Sequence, residues 1–146
     1  MMRYIDMIVI HCSATEAGKD YSVDTIRKWH KARGFRDIGY HYIVHLDGKI
    51  DKGRPIKSRG AHAKGYNAES IGVVYIGGLK DGEPHDTRTT EQKYALRALV
   101  EVLESMYPIS QVVGHRDLSV DLNGDGVISK NEWMKACPSF DVKTEL

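Results

Sequence analysis

Cysteine is scarce in this chain of 146 residues, which contains only Cys12 and Cys137. Two thiols cannot build the disulfide framework on which small secreted domains depend, so a reduced protein made inside the cell is expected. Low-complexity tracts, internal repeats and Pro- or Ser-rich linkers are missing as well, which leaves a single domain over residues 1–146. No apolar run approaches the ~18 residues of a membrane span. No basic segment followed by an apolar stretch and a small-residue cleavage site opens the chain, so no signal peptide is expected. An excess of one charge is also lacking: 21 Lys+Arg stand against 20 Asp+Glu. That balance argues against a nucleic-acid partner, whose binder shows a clustered basic excess. The basic group Lys52, Arg54, Lys57, Arg59 and Lys64 reads as a solvated face.

What is present suits an ordinary globular protein, with 41% hydrophobic and 28% charged residues. Met7 to Ile10 is wholly apolar and rich in β-branched residues, the pattern of a strand buried on both faces. Ser22 is placed to cap a helix in which Val23, Ile26 and Trp29 recur at helical spacing, ending at Gly34. Residues 40–46 and 49–51 flank Asp47-Gly48, a hairpin signal, with Tyr40, Tyr42, Val44 and Leu46 on one strand face. Ile71 to Ile76 predicts another buried strand. Thr89 with Gln92 forms a capping box for a helix lined by Ala95, Leu99, Val102 and Met106 and ended by Pro108. Gln111 to Gly114 is a short strand that delivers His115. Strands alternating with helices, plus one hairpin, predict an α/β domain with a mixed central sheet flanked by helices.

Two histidines stand apart from His30, His41, His45 and His85, which read as structural or surface residues. His11 and His115 each end an expected strand, where a sheet can hold an imidazole rigidly. With Cys137 they make three ligands, the number a catalytic zinc keeps beside an open position. No short ligand pair anchors that set, so spacing alone leaves it undecided. Cys12 follows His11 directly and points to the opposite strand face, where it reads as a small buried apolar residue.

The ordered series decides more than any single motif. It runs through Ile8 to Thr15, Asp37 to Tyr42, Asp47 to Ile50 with Gly53-Arg54, and His62 with Gly65-Tyr66-Asn67. It continues through Ser70 to Val73, Gly114 to Asp117, and Lys135-Ala136-Cys137-Pro138. From about Ile5 to Phe140 the chain resembles the zinc-dependent N-acetylmuramoyl-L-alanine amidases, which include amidase-type phage lysozymes and peptidoglycan recognition proteins. The resemblance implies a peptidoglycan recognition protein-like fold. It also implies hydrolysis of the amide between the lactyl group of N-acetylmuramic acid and L-alanine in peptidoglycan. His11, His115 and Cys137 match the family's zinc ligands; Tyr40 and Lys135 match its polar catalytic positions. Zinc would acidify water and polarise the scissile carbonyl, and Lys135 would stabilise the oxyanion. The Tyr40 hydroxyl would orient the water or relay its proton. The alternatives are a packed strand aromatic for Tyr40 and a solvated helix end for Lys135. His62 and Asn67 are expected either in the substrate groove or as braces of their loop. No general-base carboxylate can be placed, with Glu16 and Glu69 the only candidates considered.

One segment departs from the family pattern. Residues 121–132 fit the twelve-position EF-hand loop, with calcium ligands Asp121, Asn123, Asp125, the Val127 carbonyl and Glu132, and Gly126 at the sharp turn. No entering helix is expected over Arg116 to Val120, and an ion-free Asx-rich turn capping a short helix is the alternative. The overall expectation is a monomeric phage or prophage lysin, made in the cytoplasm and acting on the cell wall after release. A non-catalytic peptidoglycan-binding module of the same fold is the rival, and Cys137 speaks against it.

Overall fold

A strand with no polar side chain before its end can be buried on both faces only if helices cover both, and this requirement shapes the architecture. The computed structural model describes residues 3–119 and 136–146. In chain order it contains β1 (Met7–Cys12), β2 (Thr15–Glu16), α1 (Val23–Ala32), β3 (Tyr42–Val44) and β4 (Ile50–Lys52). There follow β5 (Ser70–Tyr75), β6 (Gly78–Lys80), β7 (Glu83–Pro84), α2 (Thr90–Met106), β8 (Gln111–Gly114) and α3 (Val142–Glu145). The main sheet has the order β4-β3-β5-β1-β8, and β2-β6-β7 form a small second sheet. β3, β5, β1 and β8 are mutually parallel, while β4 pairs antiparallel with β3 through the Asp47-Gly48 turn. The expected mixed α/β architecture is therefore the one found.

Side-chain alternation along the strands sorts the interior into two layers. Ile8, Ile10, Val73 and Tyr75 pack with Leu96, Leu99, Val100 and Leu103 of α2 and with Phe140 and Val142. Val74 and Ile43 point the other way, against Ile26 of α1, with Ile38 and Ile76. The capping expectations hold: the Ser22 side chain accepts from the Thr25 amide, and Thr89 and Gln92 form a reciprocal capping box.

Three helix and strand faces differ from expectation. α2 buries Gln92, Leu96, Leu99, Val100 and Leu103, whereas Val102 and Met106 are exposed. The reason is anchoring: the Gln92 amide donates to the Val44 and Ile76 carbonyls at 3.3 and 3.0 Å, which sets the helix rotation. α1 buries Ile26 and His30 and leaves Trp29 at the surface, stacked edge-on against Tyr21. The hairpin's first strand begins only at Tyr42, because bends at Gly39 and His41 interrupt it. Tyr40 consequently packs with the α1 layer, not on the face shared by Tyr42 and Val44. Arg54, assigned to a solvated face, is 6% exposed and donates to the Ile38, Arg59 and Asp37 carbonyls.

Candidate metal centre

Register brings the two histidines together. The parallel pairing of β1 with β8 sets Ile10 beside Gly114, so the next residues, His11 and His115, emerge side by side at the same sheet edge. Their ring centroids are 4.7 Å apart. His11 is 1% exposed and lies level with Val74, on the α1 side of the sheet.

The third group arrives with the C-terminal segment. The Tyr75 hydroxyl donates to the Pro138 carbonyl at 2.6 Å, and the Ser139 hydroxyl donates to the Gly78 carbonyl at 3.1 Å. The Arg116 amide donates to the Cys137 carbonyl at 2.8 Å, linking the segment to the turn that carries His115. Gly114 permits this approach, since a Cβ there would stand 2.7 Å from Pro138 Cδ. Cys137 Sγ then lies 3.8 Å from His11 Nδ1 and accepts from the Cys12 amide at 3.2 Å. One ligand atom from each of His11, His115 and Cys137 falls within 4.8 Å of the other two.

Around these three, several neighbours were not legible as partners. His62 Nδ1 is 2.9 Å from His11 Nε2, and His62 Nε2 is 3.2 Å from Ser70 Oγ. Burial, then the neighbouring His41 and His115, push the His62 imidazole down to about 3, so it is neutral at physiological pH. Asn67 Oδ1 accepts from the His62 and Ala63 amides at 2.9 and 3.0 Å. Of the two places expected for this pair, Asn67 occupies that of a loop brace and His62 sits in the interior against His11. The Cys12 thiol is buried as expected, but it also meets Cys137, and that contact is the main reason it is lowered below the ordinary thiol range despite burial.

The Tyr40 ring lies 5.1 Å from that of His11 and 5.3 Å from that of His30. Burial, followed by the thiols of Cys137 and Cys12, holds its hydroxyl well above the ordinary phenol range. It is therefore a neutral hydrogen-bonding group. His30 secures the turn before it, with Nδ1 accepting from the Gly39 amide at 2.8 Å. His41 and His45 keep the structural roles expected of them: His41 joins Gly72 to Ser58, and His45 lies between Asp20 and Asp51. Glu69 is excluded as a base by register. Its carbonyl accepts from the Asp6 amide at the far end of β1, roughly 16 Å from His11 at ~3.3 Å per residue. The Glu16 carboxylate accepts from the Gly82 amide at 3.3 Å. Lys135 and the loop 121–132, with Asp121, Asn123, Asp125, Val127 and Glu132, lie outside the described residues.

Comparison with known proteins gives the class first. The fold is that of the amidase LysC from Clostridium intestinale URNW, with a TM-score of 0.73 and 29% identity, covering 95% of this chain and 79% of that one. The fold is shared with Apis mellifera PGRP-SA, with a TM-score of 0.71 at 22% identity, over 96% of this chain and 82% of the other. Residues 1–139 match the family model described as N-acetylmuramoyl-L-alanine amidase, and the chain belongs to that family as a peptidoglycan amidase. The endolysin of Klebsiella phage KP32 is 40% identical over 137 residues, or 93% of this chain and 82% of that protein.

Proposed function

We propose that this amidase is a zinc-dependent endolysin that cuts between the muramic lactyl group and L-alanine of the stem peptide. The observation that carries the reading is the convergence of His11, His115 and Cys137. Tetrahedral zinc, with bonds of ~2.0 Å to nitrogen and ~2.3 Å to sulfur, separates its ligand atoms by roughly 3.3–3.6 Å. The 3.8 Å between His11 Nδ1 and Cys137 Sγ is close to that spacing, and the set as a whole, within 4.8 Å, would draw in by about 1 Å around the ion. Two imidazoles and a thiolate also fit the borderline softness of zinc and leave the fourth position open. Zinc, when bound, supplies a Lewis acid that acidifies water and polarises the carbonyl.

The chain's own residues do the rest. Tyr40, its ring beside that of His11, orients the water or relays its proton through its hydroxyl. Lys135 contributes a cation to the developing oxyanion. Calcium at residues 121–132 has a structural role, fixing the segment that leads to Lys135 and Cys137. The enzyme acts as a monomer on the cell wall after release from the cytoplasm. No helix among the described residues is long and apolar enough to cross a membrane.

The test is end-group analysis of digested peptidoglycan with purified protein. New L-alanine amino groups and muramic carboxyls should form, stop with a chelator, and resume with added zinc. Tight wall binding without new end groups would replace this reading with that of a binding module. Lys135→Ala should lower kcat far more than it raises KM; the reverse would make Lys135 a binding residue. Calcium should raise Tm in the wild type and not in Asp125→Ala, and an equal response would dismiss that site.

A further inference from the structure

We propose that His62 is a positioning residue that sets the tautomer of the ligand His11 through a one-way hydrogen-bond chain ending at Ser70. The inference rests on the metal reading above. Its starting point is which nitrogen of His11 faces the other ligands. Nδ1 is the atom near Cys137 Sγ, at 3.8 Å, while Nε2 faces His62 Nδ1 at 2.9 Å. A nitrogen that binds a metal carries no proton, so the His11 proton must sit on Nε2. His62 Nδ1 must then accept it and be bare. The His62 proton is thereby placed on Nε2, where Ser70 Oγ accepts at 3.2 Å.

The reverse direction of the same chain has the opposite consequence. A proton on His62 Nδ1 would be donated to His11 Nε2, and a neutral His11 would then hold its own proton on Nδ1. That blocks the atom needed for metal. His62 therefore decides between a competent and a blocked ligand, the part usually played by a carboxylate or a backbone carbonyl.

Packing gives His62 little room to abandon this position. A Cβ at Gly72 would come 2.6 Å from the ring, and one at Gly60 would come 2.5 Å from its Cδ2. The Asn67 side chain holds the His62 amide at 2.9 Å. The two glycines accommodate the ring, and the asparagine fixes the backbone that carries it.

The test is the zinc affinity of the full chain, measured by competition with a chromophoric chelator, for wild type, His62→Phe and His62→Asn. Phe removes the acceptor, whereas Asn offers Oδ1 close to the place of Nδ1. The expected result is affinity about 10–100-fold weaker in His62→Phe, as for other lost partners of metal-bound histidines, with most of the loss recovered in His62→Asn. Equal affinity in all three, or equal loss in both variants, would overturn the positioning role. Should the variants fail to fold, nitrogen-15 NMR of zinc-loaded wild type decides. His62 protonated on Nε2 supports the chain, and His62 protonated on Nδ1 overturns it. Failure of wild type itself to bind one zinc would instead refute the metal reading.

Discussion

The two faces of the main sheet come from the same strands, yet one is filled with apolar side chains and the other carries polar rings beside a smaller apolar layer. Towards α2, Ile8, Ile10, Val73 and Tyr75 meet Leu96, Leu99, Val100 and Leu103 in an apolar layer. Towards α1 the apolar layer is smaller, and the polar His11, Tyr40 and His30 pack beside one another at its margin. Along β1 the switch takes one residue: Ile10 belongs to the first face and His11 to the second. The difference shows where stability and chemistry are lodged. Burial depresses His30, His41 and His62 below the ordinary imidazole range, so these rings are neutral hydrogen-bonding groups. Hydrogen bonds hold them in place: His30 to the Gly39 amide, His41 to Gly72 and Ser58, and His62 to His11 and Ser70.

If the division is real, changes on each face should separate activity from stability. The largest effect belongs to Cys137→Ala, which should lower peptidoglycan hydrolysis by at least ~10³-fold while leaving the urea midpoint of the zinc-free protein nearly unchanged. Retained hydrolysis would erase the functional half of the contrast. Leu103→Ala, opening a cavity under α2, should cost about 2–5 kcal/mol in urea unfolding and leave the zinc affinity of the folded protein as it was. A large drop in affinity would mean that the layers are not separable.

A titration sharpens the comparison further. His41 has a native value of about 4, chiefly through burial, against 6.5 for the free side chain. The unfolded chain therefore takes up the proton first. The stability this group contributes is fully present above pH 6.5 and is lost as pH falls towards 4, a loss of about 3 kcal/mol. His41→Asn, which keeps an acceptor for the Gly72 amide, should flatten the stability profile over that interval, and an unchanged profile would remove His41 from the account. The smallest effect is expected at the α2 cap, where Thr89→Ala should cost about 1 kcal/mol with hydrolysis by the folded protein unaffected. Loss of hydrolysis there would tie the apolar face directly to the chemistry.

The sequence was most legible where structure is local. The Met7–Ile10 run, the Asp47-Gly48 turn and the Thr89–Gln92 box each carry their physical cause within a few residues. The rotation of α2 was not legible, because Ala95, Leu96, Leu99, Val100, Val102 and Leu103 offer two overlapping apolar stripes. The choice between them is made by Gln92 reaching carbonyls on distant strands. At the site, His11 and His115 could be suspected from strand ends and Cys137 from its chemistry as a third ligand, but no short spacing pairs the cysteine with either, so the family resemblance was needed to join the three. The His11–His62 contact joins residues 51 apart in sequence, and no local pattern announces it.

The account is tested most directly by replacing zinc with cobalt(II), whose thiolate charge-transfer absorption reports sulfur ligation. Wild type should bind one cobalt per chain and show that band, and Cys137→Ala should lose it. Absence of the band in wild type, or its persistence in Cys137→Ala, would contradict the three-ligand centre.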